Sequence, residues 1–149
     1  MHTHTIGWRE WISLPELHIP ALKVKIDTGA RTSALHAFKL GYFTEDNIQK
    51  VRFYIHPRQR RSTPVIKCIA PLKEMRWVSD SGGHREQRPV IETLIKIGDL
   101  EWPIEITLTS RDDMRFRMLL GRTAMKSKHL TINPAASYLF GKTGKQVNS

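Results

Sequence analysis

The sequence predicts a mainly β fold, a closed or nearly closed β-barrel carrying one short helix near its C-terminus. Three observations predict it. Strand-like runs rich in β-branched or aromatic residues fill most of the chain, glycine-containing turn signals fall between them, and a single segment, Thr123 to Lys128, reads as helix.

Ile6 to Ser13 and Ala21 to Ile26 open the series, and the second ends at an acidic turn. Val51 to Ile55, Pro64 to Ala70 and Met75 to Val78 follow, each alternating apolar with polar residues or rich in branched side chains. Gly82-Gly83 then marks a hairpin turn, as does Gly98-Asp99. Between them Pro89 to Ile97 carries Ile91, Leu94 and Ile97 at a spacing that also suits a helix. The flanking Pro89 and Gly98 decide for a strand. Trp102 to Thr109 and Leu130 to Ile132 complete the set, while Leu40 to Gln49 and Pro57 to Thr63 read as surface loops. There are no repeats and no low-complexity linker, so the expectation is one domain over residues 6–140, with 1–5 and 141–149 as flexible tails.

The net charge is +10, with 24 Lys and Arg against 14 Asp and Glu. The excess is clustered. Asn47 to Lys73 holds Lys50, Arg52, Arg58, Arg60, Arg61, Lys67 and Lys73 without an acid, and Met114 to Ser149 holds Arg115, Arg117, Arg122, Lys126, Lys128, Lys142 and Lys145, again without one. Such a field suits an anionic partner, whether acidic peptide, nucleic acid or ribosome, although a solvated surface alone would look the same. Cys68 is the single cysteine, so an intramolecular disulfide is excluded and a reducing compartment is expected. No apolar run approaches the ~20 residues of a membrane helix and the start does not read as a leader, so a cytoplasmic location without membrane contact is expected.

The chemistry centres on Asp27-Thr28-Gly29-Ala30, placed directly after the apolar run that ends at Ile26. A carboxylate held at a strand end by a small hydroxyl residue and a glycine is what an aspartic peptidase requires. An ordinary Asx turn uses the same residues. The second segment is Met118-Leu119-Leu120-Gly121-Arg122-Thr123-Ala124-Met125, a hydrophobic-hydrophobic-Gly element.

With both segments in this order the chain resembles the retropepsins. It is more closely similar to a bacterial retropepsin-like family, often labelled ATP-dependent zinc protease and associated with ATP-grasp ligases that modify ribosomal protein S6. Further matches run through Ile6 to Trp11, Ser81 to His84, Arg88 to Thr93, Trp102 to Thr109 and Arg111 to Met114. The resemblance implies a retropepsin-like barrel in which the Gly121 element packs beside the Asp27 strand, completing a ψ-shaped loop. It also implies a homodimer, because a chain with one Asp-Thr-Gly must take its second carboxylate from an identical subunit.

In that reading Asp27 is the catalytic carboxylate, Thr28 bonds across the two-fold axis, and Gly29 leaves room for backbone donors. Ala30 stands where many cellular aspartic peptidases have serine, and one donor fewer to the carboxylate favours activity nearer neutral pH. Val78 to Glu86, with Gly82 and Gly83 at its tip, is the candidate flap; an exposed hairpin would have the same composition. Arg31 stands where viral retropepsins carry the acid that pairs with the arginine matching Arg122, so Asp112 or Asp113 is the candidate replacement partner. Ala30, Arg31, Gly82, Gly83 and Arg122 are accordingly the expected substrate-binding residues, and acidic side chains are expected near the scissile bond.

The zinc and ATP of the family label find no motif. His-Glu-x-x-His is absent, His18, His36, His56, His84 and His129 are scattered, and there is no phosphate-binding glycine loop. No metal ligands and no cofactor are expected. Two functions remain open: a homodimeric aspartic peptidase acting on acidic peptides, with glutamylated ribosomal protein as a candidate substrate, or a non-catalytic basic module that regulates an ATP-grasp ligase or docks on ribosomal RNA. In the second, Phe53, Tyr54 and His56 would stack bases between the basic residues.

Overall fold

The structure is a computed structural model that describes residues 4–79, 82–110 and 115–142. Its strands follow from alternation. β1 (His4–Leu14) buries Ile6, Ile12 and Leu14, and β2 (Ile19–Ile26) buries Ile19, Leu22 and Val24, while Lys23 and Lys25 face outward. A 3-10 turn, Pro15–Leu17, joins them. The chain continues through β3 (Ser33–His36), β4 (Phe38–Glu45), β5 (Ile48–Ile55), β6 (Ile66–Pro71), β7 (Glu74–Ser79), β8 (Arg85–Ile97), β9 (Leu100–Thr109), β10 (Met118–Leu120), helix α1 (Arg122–Ser127) and β11 (Leu130–Ser137). The mainly β fold with one short helix near the C-terminus is as the sequence predicts.

Eight strands form one sheet in the order β11-β1-β2-β10-β3-β9-β8-β7, and an additional pairing of Ser13 with Lys96 joins β1 to β8. That pairing closes a ring of β1, β2, β10, β3, β9 and β8. Closure leaves β11 on β1 and β7 on β8 outside the ring. A second sheet, β4-β5-β6, contributes Val51, Phe53, Ile55, Cys68 and Ala70 to the same core as Ile12, Leu22, Ile95 and Ile106. Each fully buried Leu or Ile contributes about 1.5–3 kcal/mol, so the alternating faces hold the two sheets together.

Two expectations need correction. Leu40 to Gln49 is a hairpin, not a loop: β4 and β5 pair antiparallel through the two-residue turn Asp46-Asn47. Both turn residues have positive φ, 54° and 64°, the geometry of a type I′ turn, and Asp and Asn tolerate it better than most. Phe53 is fully buried and so is not offered to bases, whereas His56 and Tyr54 are half-buried and pack against Phe38, at 4.4 and 6.0 Å between ring centroids. The buried Glu10 has a structural role as well. Its carboxylate accepts N–H donors from Gly7 (2.7 Å), Leu139 (3.1 Å) and Phe140 (3.5 Å), fastening the C-terminal segment to β1.

Candidate active site

β2 ends at Ile26 and delivers Asp27 to a turn; β3 begins at Ser33 and leads the chain back. The two strands are not neighbours. β10 inserts between them, parallel to β2 (Leu120 opposite Ile26) and antiparallel to β3 (Leu119 opposite Ala34). Asp27 N–H donates to Leu120 O at 2.9 Å, Arg122 N–H to Ala30 O at 2.8 Å, and Thr123 N–H and Oγ1 both donate to Arg31 O, at 3.1 and 2.8 Å. The Ser33 hydroxyl accepts from Gly121 N–H at 3.0 Å. Gly121 is glycine because the backbone of the turn runs against it: a Cβ there would lie 2.6 Å from Thr32 C and 2.9 Å from Ser33 N. This is the ψ-shaped arrangement that the two motifs imply.

Within the turn Asp27 is half-buried, and its Oδ1 accepts Gly29 N–H at 3.1 Å. Thr28 and Gly29 are exposed, and the Thr28 hydroxyl has no partner among the described residues. Arg122 donates from Nη1 to Thr28 O (3.4 Å) and Gly29 O (3.2 Å), so the guanidinium clasps the carbonyls of the turn. Asp112 and Asp113, its candidate acidic partners, lie outside the described residues. Arg31 is exposed and has no ion-pair partner among the described residues.

The turn opens into a cleft of about 1040 Å³ lined by Asp27, Gly29, Ala30, Arg31 and Arg122 on one side and by Arg76, Trp77, Val78 and Ser79 on the other. The second wall is the first strand of the candidate flap. β7 and β8 pair antiparallel from Glu74 opposite Val90 to Ser79 opposite Arg85, whereas β8 meets β9 only from Val90 onward. Residues 85–89 and β7 therefore project as a two-stranded arm from the row of Thr107 and Ala34, beside the Asp27 turn. Gly83 at its tip has φ +85° and open space around it, while Asp80 and Ser81 lie outside the described residues. Gly82 and Gly83 are not among the residues lining this cleft.

A cation clamp fixes the base of the arm. Arg76 Nη1 on β7 reaches Glu105 Oε1 on β9 at 2.9 Å, Lys73 Nζ reaches Glu105 Oε2 at 2.6 Å, and Arg76 also pairs with Glu74. The hydrogen bonds from Arg76 and Lys73 hold the Glu105 carboxyl down to about 2, against an ordinary value of 4.5. Because the folded-state pKa is depressed, its stabilisation is present above about 4.5 and is lost as pH falls toward 2. Glu105→Gln should then cost about 1 kcal/mol at neutral pH, since the pair is partly open to water. Urea unfolding of both proteins should show the difference shrinking between those two pH values; a constant difference would contradict the assignment.

Sequence reasoning placed Asp27, Ala30, Arg31 and Arg122 in one site, and all four line one cleft. It missed Arg76, Trp77, Arg88, Glu105 and Thr107, which line it too. The register of β7, β8 and β9 brings them there, and no local motif announces it. Among the described residues no three His, Cys, Asp or Glu side chains converge to hold a metal ion. Cys68 is buried and desolvation pushes its thiol up to about 12, so it is no nucleophile.

A family model described as retropepsin-like aspartic endopeptidase RimB matches residues 5–143. The chain belongs to this RimB-like family. Curated relatives of this family member include a protein from Desulfotalea psychrophila, 43% identical over 95% of this chain and 30% of its own length, and one from Parasynechococcus marenigrum, 43% identical over 91% and 29%. A third, from Shewanella pealeana, is 40% identical over 93% and 30%. Each is named "Probable alpha-L-glutamate ligase". The chain thus spans less than a third of the length of these relatives. Among solved structures, a protein of unknown function from Legionella pneumophila superposes with a TM-score of 0.76 at 25% identity, covering 92% of this chain and 98% of the other. No helix of the described residues is long and apolar enough to cross a membrane.

Proposed function

We propose that two copies of the chain assemble about a two-fold axis and hydrolyse amide bonds in acidic peptides, with one Asp27 from each copy forming the catalytic pair. The observation that carries this reading is the Asp27 turn itself, locked by β10 and facing a cleft under a projecting hairpin. One carboxyl of the pair is ionised and takes a proton from the attacking water. The other is protonated and gives its proton to the carbonyl oxygen, and the amine nitrogen is protonated as the tetrahedral intermediate collapses.

Glu105 lines the same cleft but cannot serve as the mate within one chain. Both of its oxygens are engaged, by Arg76 and Lys73, and these cations hold its carboxyl down to about 2, which makes it a poor base for activating water. Exposure of Thr28 and Gly29, with the Thr28 hydroxyl unpartnered among the described residues, is what a surface awaiting a second copy requires.

The cleft favours anionic substrates. Arg76 and Arg88 are already paired to Glu105, Glu74 and Glu86, and among the described residues Arg122 is engaged only by neutral carbonyls. Arg31, which has no ion-pair partner among the described residues, is the cation we assign to a substrate carboxylate. Relatives named as α-L-glutamate ligases carry a segment similar to this whole chain, which supports glutamyl chains on a modified protein, ribosomal protein included, as the substrate and an ATP-grasp ligase as the partner. Such partners would put the reaction in the cytoplasm.

The test is cleavage efficiency on glutamate-rich and glutamine-rich peptides, for wild type and Arg31→Ala. The glutamate peptide should be preferred, and Arg31→Ala should lose about tenfold of that preference, since a charged Arg–carboxylate contact contributes about 1.5–3 kcal/mol. Equal efficiency of the wild type on both peptides would remove acidic specificity from the account.

A further inference from the structure

Two smaller hollows adjoin the cleft, and shared residues link all three. Ala34, Arg88 and Leu119 line both the cleft and a hollow of about 430 Å³ that also holds Trp8, Arg9, Lys25 and Arg115. Arg115 in turn lines the next hollow, of about 470 Å³, with Trp11, Lys23, Arg58, Arg60 and Lys142. Strand register explains the continuity. Ala34 pairs with Leu119, Leu119 with Lys25 and Lys25 with Arg9, so these side chains form one row across β3, β10, β2 and β1. Trp11 and Lys23, paired two residues further along, make the next row on the same face.

The far hollow is built for negative charge. Five cations line it and, among the described residues, no carboxylate does. Lys23 and Lys142 both lie over the ring of Trp11, at 5.2 and 4.8 Å from its centroid, and neither has an ion-pair partner among the described residues. An anionic group in this hollow would be attracted by all five cations.

We infer that this row is an extended docking track for an acidic peptide, running from the Asp27 cleft over Arg9 and Lys25 to the Trp11 hollow. This deepens the peptidase reading by assigning a second contact region for the same substrate class. Three strand spacings of about 4.8 Å and two residues of about 3.4 Å along the strands give a path of about 20 Å. An extended peptide covers that with about six residues. Nucleic acid fits less well, because Lys23, Lys142 and the ring of Tyr138 at 6.1 Å already pack against Trp11, the aromatic side chain of this hollow, and compete with a stacking base.

The experiment measures binding by the full chain carrying Asp27→Asn, using fluorescence anisotropy of labelled oligo-α-glutamates of about four and about twelve residues, the shorter unable to span the path. The longer peptide should bind at least tenfold tighter. Lys23→Gln with Lys142→Gln, and separately Arg58→Gln, should each remove most of that gain while leaving the melting temperature unchanged. Equal affinity for the two lengths overturns the track, as does tighter binding of a single-stranded RNA of matched charge. Hydrolysis by the wild type is read independently. If it fails while the length dependence holds, the peptidase reading falls and the track stands; if hydrolysis occurs without length dependence, the reverse is true.

Discussion

Asp27→Asn should lower peptide hydrolysis by about 10⁴-fold, the upper range for general acid–base catalysis, because one carboxylate pair serves as both base and acid. The amide can neither hold the shared charge nor pass on the proton. Fold should survive, since the link from Asp27 to β10 runs through its backbone N–H to Leu120 O and not through the carboxylate. Among the described residues the side chain accepts only the 3.1 Å bond from Gly29 N–H, and an Asn oxygen can accept it too. The check is kcat on an acidic peptide beside a circular dichroism spectrum and a melting curve. An Asn variant with wild-type turnover would remove Asp27 from the chemistry, whereas an unfolded one would show that the side chain is structural.

The second large effect concerns packing rather than reaction. Gly121→Ala should destabilise the protein by about 3 kcal/mol or more, because the added methyl meets the backbone of Thr32 and Ser33 rather than a side chain that could turn away. Relief requires β10 to move from β3, and that movement would stretch the bonds from Arg122 N–H to Ala30 O and from Thr123 N–H to Arg31 O. Activity should fall further than stability alone explains, since these bonds hold the turn carrying Asp27. Gly83→Ala provides the contrast. Its Cβ meets nothing within 4 Å, and only the left-handed φ of +85° opposes it, so the cost there should be about 1 kcal/mol. Denaturant midpoints of the two variants measure the difference directly, and comparable midpoints would contradict the close approach of β10 to the turn.

The Asp27 side of the candidate site was legible in the sequence because its motif is local. Asp27-Thr28-Gly29 follows its strand directly, and the resemblance to the retropepsins placed the Met118 to Gly121 element beside that strand. Arg122 was found with them, although its clasp on the carbonyls of Thr28 and Gly29 was not, because that contact depends on how the helix start meets the turn. The opposite wall was illegible for a similar reason. Arg76, Arg88 and Glu105 come from three strands whose register no motif encodes. Arg58, Arg60, Arg115 and Lys142 were visible as parts of charged segments, but Arg9, Lys23 and Lys25 join them only through the pairing of β1 with β2. The β4–β5 hairpin was missed because Asp46-Asn47 lacks the glycine that usually marks a two-residue turn.

The account rests on a site completed by a second copy, and mixing measures that most directly. Wild type and Asp27→Asn, separately labelled, are combined in varying proportion at fixed total concentration and allowed to exchange before activity is read. If each site needs an ionisable Asp27 from both copies, activity follows the square of the wild-type fraction, about one quarter in an equal mixture. An equal mixture retaining half the activity, with subunit exchange verified by the labels, would mean that each chain works alone and would contradict the shared site.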